Sequence, residues 1–276
     1  MYVFLALTLA AAAFGAPAPL PTNLLGVQTI NNIQLPNPIC ISGECGGAFQ
    51  AGVGGASPLA TLWCVDSQEF VSLGQTYTAN IVLLSDSTKM GDGTQVRYGN
   101  VTGNAGNTSQ TDASPGNWDF DIHDAFNSYN TALSRYTLAA FLISQYTPTP
   151  QGPADTAQNE AIQRAVWRIM SNTNAHLAAQ INTGLNLGGG DISTGVPANG
   201  NWVAYAEAQL HANPNLINLN GWAVVSGAYA NGNLLNGANA IQTYLVQVAV
   251  PVPEPGFFAL LALGVAGVVT KARRRK

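Results

Sequence analysis

The sequence predicts an α+β fold: a β-sheet or β-barrel with an inserted helical subdomain, followed by a C-terminal hydrophobic helix. Three observations carry that reading. Strand-like runs come first, at Thr61-Leu62-Trp63-Cys64-Val65 and at Tyr77 to Leu84, rich in β-branched, aromatic and aliphatic residues. The middle changes to a helical period, most clearly over Thr156 to Met170. The chain then returns to strands at Gly221 to Tyr229 and Ala240 to Val250. Strands, helices and strands in that order suggest helices packed against a sheet or barrel.

The elements follow in chain order. Tyr2 to Ala13 is apolar and leads into Phe14-Gly15-Ala16-Pro17. This reads as a secretory signal peptide over 1–15, cut after Gly15, with Ala13 and Gly15 as the small residues at the cleavage site. Residues 16–25 form a Pro-rich, extended leader. The body spans 26–250. Gly26 to Asn80 reads as strands and turns. Ser85 to Pro115, rich in Gly, Asn, Asp, Ser and Thr, reads as a long polar loop. Tyr136 to Tyr146 is apolar nearly all round, as a buried helix is. Over Thr156 to Met170, Ile162, Ala165, Val166 and Ile169 recur on one face, and Asp155 or Thr156 can cap the start. Trp202 to Ala212 is a third helix, ended by Asn213-Pro214.

Residues 251–276 are of another kind. Pro253-Glu254-Pro255 precedes an uncharged run from Gly256 to Thr270, and Lys271-Ala272-Arg273-Arg274-Arg275-Lys276 closes it. The run has 15 residues, short of the roughly 20 that span a bilayer as a helix. A marginal transmembrane helix with a basic stop suits a temporary stop-transfer element; a single-pass anchor would share its topology, with Arg273, Arg274 and Arg275 cytoplasmic. The three ordered elements resemble a PEP-CTERM sorting signal. That resemblance implies processing by an exosortase-type protease and contact with the bacterial membrane through the tail. It also implies export to the cell envelope, outer surface or extracellular matrix of a Gram-negative type bacterium, with extracellular polysaccharide as a companion.

Charge agrees with export. Half of the 10 Lys and Arg residues lie in the tail. The rest of the chain sets Lys89, Arg97, Arg135, Arg164 and Arg168 against 13 acidic residues, a formal charge of −8. That balance excludes the basic footprint of nucleic-acid binding.

Cys40, Cys45 and Cys64 are the three cysteines. Cys40 and Cys45 enclose a short Gly-containing loop that a local disulfide can close, leaving Cys64 over. An oxidisable thiol outside the cell must be buried, paired or used. Around it the chain resembles the bacterial surface thioester domains, over Leu62 to Met170. Trp63-Cys64-Val65 matches their Cys segment, and Ile162-Gln163-Arg164-Ala165-Val166-Trp167 their Gln segment. The Gly74-Gln75-Thr76-Tyr77 turn and the Ala139-to-Tyr146 helix keep the family's order. The chain departs from the pattern at Trp63 and at Asp66-Ser67. The resemblance implies an internal thioester between Cys64 and Gln163, and an adhesin that attaches to a surface amine nucleophile.

The bottom-up chemistry is separate. A thioester survives only where water is excluded and its two groups are held together. Trp63 and Trp167 can shield it. Otherwise Cys64 is a buried small hydrophobe and Gln163 a hydrogen-bonded helix residue. Asp119, Asp121 and Asp124 are weak metal candidates, because the EF-hand spacing and its glycine are missing. No Gly-x-Ser-x-Gly, His-Glu-x-x-His or phosphate-loop pattern occurs. We therefore expect no enzyme activity and no cofactor. A structural or polysaccharide-associated matrix protein without a thioester is the competing expectation.

Overall fold

The computed structural model describes residues 19–41, 44–55, 57–66, 69–99, 131–147, 153–170, 202–235 and 239–250. Six antiparallel strands close a barrel. In chain order they are β1 (Gly26–Gln34), β4 (Ala48–Val53), β5 (Ala60–Cys64), β6 (Tyr77–Leu83), β7 (Trp222–Gly227) and β8 (Tyr244–Gln247). Around the barrel the order is β1-β4-β5-β8-β7-β6, and β6 returns to β1. Closure leaves no free sheet edge among these strands. β5 and β7 are buried along their whole length, which explains their continuous rather than alternating apolar runs.

A small hairpin, β2 (Ile39–Ile41) and β3 (Glu44–Gly46), stands beside the barrel. Cys40 and Cys45 face each other across it and form a disulfide. That is the pairing expected from their spacing.

The helices lie between β6 and β7 in the chain. α1 (Ser87–Met90) is short. α2 (Ala132–Ser144), α3 (Pro153–Met170) and α4 (Trp202–Ala212) pack on one another, and α3 also meets β2. An α+β fold with an inserted helical unit is thus what forms. In α2, Tyr136 and Leu138 to Ile143 are all buried, as its nearly uniform apolar sequence requires. Buried Arg135 donates from Nη1 to the Ile169 carbonyl, 2.9 Å away, and so satisfies one open carbonyl at the end of α3.

Some boundaries differ from expectation. α3 starts at Pro153, so Asp155 and Thr156 lie in its first turn; proline is favoured at that first position. Residues 85–99 are not an open polar loop. Asp86 accepts the Lys89 amide to start α1, Asp92 accepts the Thr94 amide, and Met90, Val96, Arg97 and Tyr98 are buried. Short polar residues here fold the backbone by local bonds, while the next few side chains reach the core. Leu20, in the Pro-rich segment, is buried and pairs with Val248.

Among the described residues no helix is long and apolar enough to cross a membrane. The C-terminal hydrophobic helix, the signal peptide, Pro253, Glu254, Pro255 and Arg273 to Arg275 lie outside the described residues, as do Asp119, Asp121 and Asp124. Among the described residues no cluster of three His, Cys, Asp or Glu side chains could hold a metal ion.

Candidate functional site

The end of β5 meets the face of α3. Cys64 is the last residue of β5 and 1% exposed; Gln163, on α3, is also 1% exposed. They lie 99 residues apart in sequence, yet the Gln163 Nε2 donates to the Cys64 carbonyl at 3.0 Å. The other end of the amide is held too. The Tyr146 hydroxyl donates to Gln163 Oε1 at 2.7 Å. The amide is therefore fixed with its nitrogen toward Cys64 and its oxygen toward Tyr146.

Gly46 makes the approach possible. A Cβ on Gly46 would lie 3.2 Å from Cys64 Sγ, 3.4 Å from Gln163 Cδ and 2.6 Å from the Trp167 ring. The sulfur and the amide carbon thus border one small space over the hairpin, which the absent side chain leaves open. The Cys40–Cys45 disulfide staples the hairpin that supplies Gly46.

The sulfur is surrounded by polar hydrogens. Gln242 Nε2 donates to Sγ at 2.9 Å, and Trp167 Nε1 donates at 3.4 Å. The thiol donates to the Asp66 carbonyl at 3.3 Å. Gln242 is itself held, by the Tyr244 hydroxyl on Oε1 and by its own Nε2 bond to the Asp66 carbonyl. Burial pushes the Cys64 thiol up to about 12, against the smaller downward pull of Trp167. Cys64 is thus a protonated thiol at neutral pH. Tyr146 is also pushed well above the usual phenol range, by burial first and the nearby Cys64 second. It keeps its proton and remains a donor.

The two tryptophans take different places. Trp167 is buried against the sulfur. Trp63 packs on Tyr146, ring centroids 4.9 Å apart, and together they form one wall of a cleft of about 380 Å³. Its other walls include Pro36, Asn37, Ile39 and Thr147.

Two residues past Cys64 the character changes. Buried Asp66 contacts Arg97 Nε through Oδ2 at 2.9 Å, and Arg97 Nη2 reaches Glu69 at 3.0 Å. The Tyr136 hydroxyl donates to the Arg97 carbonyl. This charged cluster pins the segment that follows β5.

The structure brings Cys64, Gln163, Trp63 and Trp167 into one neighbourhood and adds Gln242, Tyr146 and Gly46. Gln242 carried no readable signal, because Gln247 is a second amide in the same strand-like run. Tyr146 and Gly46 had none, since their roles arise only where α2, α3 and the hairpin meet.

Among known proteins, the family described as the PEP-CTERM protein-sorting motif matches residues 251–276. Comparison with curated proteins and with solved structures returns no match. The motif marks an exported, surface-sorted protein of Gram-negative bacteria, processed by exosortase, a membrane protease.

Proposed function

We propose that the exported body is a covalent attachment module. Cys64 Sγ adds to Gln163 Cδ, the carbon–nitrogen bond breaks, and ammonia leaves with the thiol proton. The product is an internal thioester. A surface amine then attacks the same carbon, forms an amide, and returns Cys64 to the thiol. The reaction occurs once per molecule, so its outcome is adhesion to a cell or matrix rather than turnover.

One observation carries this reading. The sulfur and the amide carbon border the same buried space over Gly46, with the amide nitrogen turned toward the cysteine. Holding both groups there replaces a bimolecular encounter by an intramolecular one. Exclusion of water by Trp63 and Trp167 protects the activated acyl group.

A second reading has its own observation. Every polar end of Gln163 is hydrogen-bonded, and Cys64 is held as a thiol. A structural or polysaccharide-associated matrix protein would use the same residues as satisfied core groups.

Intact mass separates the two. With the bond formed, the mature chain weighs about 17 Da less than calculated, beyond the roughly 2 Da lost to the Cys40–Cys45 disulfide, and methylamine adds about 31 Da. A Cys64→Ala chain shows neither change. A full calculated mass, with Cys64 open to alkylation only after unfolding, would sink the covalent reading.

A further inference from the structure

We infer that Tyr146 is a catalytic residue of this acyl chemistry, its hydroxyl stabilising the negative charge that develops on Gln163 Oε1. The inference rests on the covalent reading and adds to it the group that activates the carbonyl. The Tyr146 hydroxyl is 2.7 Å from that oxygen, inside the range at which an oxyanion donor acts. The same oxygen receives the electron pair in both steps, when sulfur attacks and later when the amine attacks. In each step the pair returns to the carbonyl as the leaving group departs, first ammonia and then the Cys64 sulfur. Tyr146 donates a hydrogen bond throughout and keeps its proton.

The site needs such a group. A buried, protonated Cys64 is a weak nucleophile, so the barrier must be lowered at the carbonyl. The amide is also oriented for it, since its oxygen faces Tyr146 while the leaving nitrogen faces the cysteine side. Burial keeps the hydroxyl in low dielectric, where a fixed donor is strongest.

The cleft fits the second substrate. Tyr146 and Trp63 separate it from the bond, and among the described residues none of its lining side chains is charged. Among the described residues no carboxylate or imidazole lines it to take a proton from an alcohol. An amine needs no such base, because its free form is already nucleophilic. The cleft therefore admits a primary amine and discriminates against sugar hydroxyls.

The test uses the full-length protein, with methylamine and glycerol as probes and mass as readout. Loss of the donor in Tyr146→Phe slows methylamine addition roughly 10²-fold, the usual effect of one oxyanion donor, and slows hydrolysis with it. If Tyr146 only shielded the bond, removing its hydroxyl would leave both rates unchanged or faster, and the inference would fall. Should Tyr146→Phe not form the bond, Tyr146→3-fluorotyrosine decides. Its more acidic phenol has nearly the same shape, so a stronger donor speeds addition, whereas an unchanged rate overturns the inference. Glycerol incorporation at a rate matching methylamine overturns the acceptor preference. A wild-type chain of full calculated mass removes the covalent reading and this one together. A wild-type chain with the bond and an unslowed Tyr146→Phe removes this one alone.

Discussion

Two buried polar clusters sit two residues apart at the end of β5, and they are built on opposite principles. Around Cys64 the side-chain partners are neutral: Gln242 and Trp167 on the sulfur, Gln163 on the carbonyl, and Tyr146 behind Gln163. The Asp66 carboxylate instead meets the Arg97 guanidinium, which also reaches Glu69. The charged cluster fixes the chain through strong attraction, and losing Arg97 or Asp66 alone would leave a charge in the core. The neutral cluster fixes atoms by direction only. Neutral groups can hold a carbon and a sulfur side by side without protonating or ionising either. The difference teaches that the fold separates holding the segment from preparing the reaction.

Breaking the charged cluster should cost most. Arg97→Met leaves Asp66 without its guanidinium and should destabilise the protein by about 3–5 kcal/mol, read by denaturant unfolding. A loss near zero would mean that the Cys64 segment is held by the neutral bonds alone. Next comes Gly46→Ala. The added Cβ meets the rigid Trp167 ring at 2.6 Å, so the hairpin or the indole must shift, at about 1–3 kcal/mol. The same shift should abolish the mass deficit while the barrel stays folded by circular dichroism.

The smallest effect sharpens the comparison by pH. Burial raises the Cys64 thiol from its ordinary 9.0 to about 12 in the fold. Its folded pKa lies above its unfolded one, so its contribution is complete below pH 9.0 and is lost as pH rises toward 12. By pH 10 the loss is about 1.4 kcal/mol, one pKa unit's worth, measured as the difference between wild type and Cys64→Ala. A formed thioester does not titrate, and the step then disappears.

Much of this fold was legible because local pattern and tertiary fate agree. Thr61 to Val65 and Tyr77 to Leu84 are dominated by residues that suit buried strands, and Ile162 to Ile169 repeats at helical spacing. The hairpin disulfide was readable because only four residues separate its cysteines. The meeting of Cys64 with Gln163 was not readable from spacing, since 99 residues separate them. Neither was Gln242, since it contacts the sulfur from 178 residues away. Arg97 hid in a stretch of polar turn residues, where a cation reads as solvated; its partners lie on the segment after β5. Local chemistry cannot announce a partner that arrives by barrel closure.

That closure has a mechanical consequence. The sorting motif starts at residue 251, just after β8 ends at Gln247, and Leu20 clasps Val248 in between. β8 runs antiparallel to β5, with Cys64 opposite Tyr244 at the far end of the pair from the tail. A cargo amide would sit on Gln163 of α3, beside Cys64 and so at the far end of β8 from the tail, and a pull between it and a tethered tail would draw β8 lengthwise against its neighbours. Such tension shears the ladder, loading its hydrogen bonds together, where a perpendicular pull would unzip them one at a time.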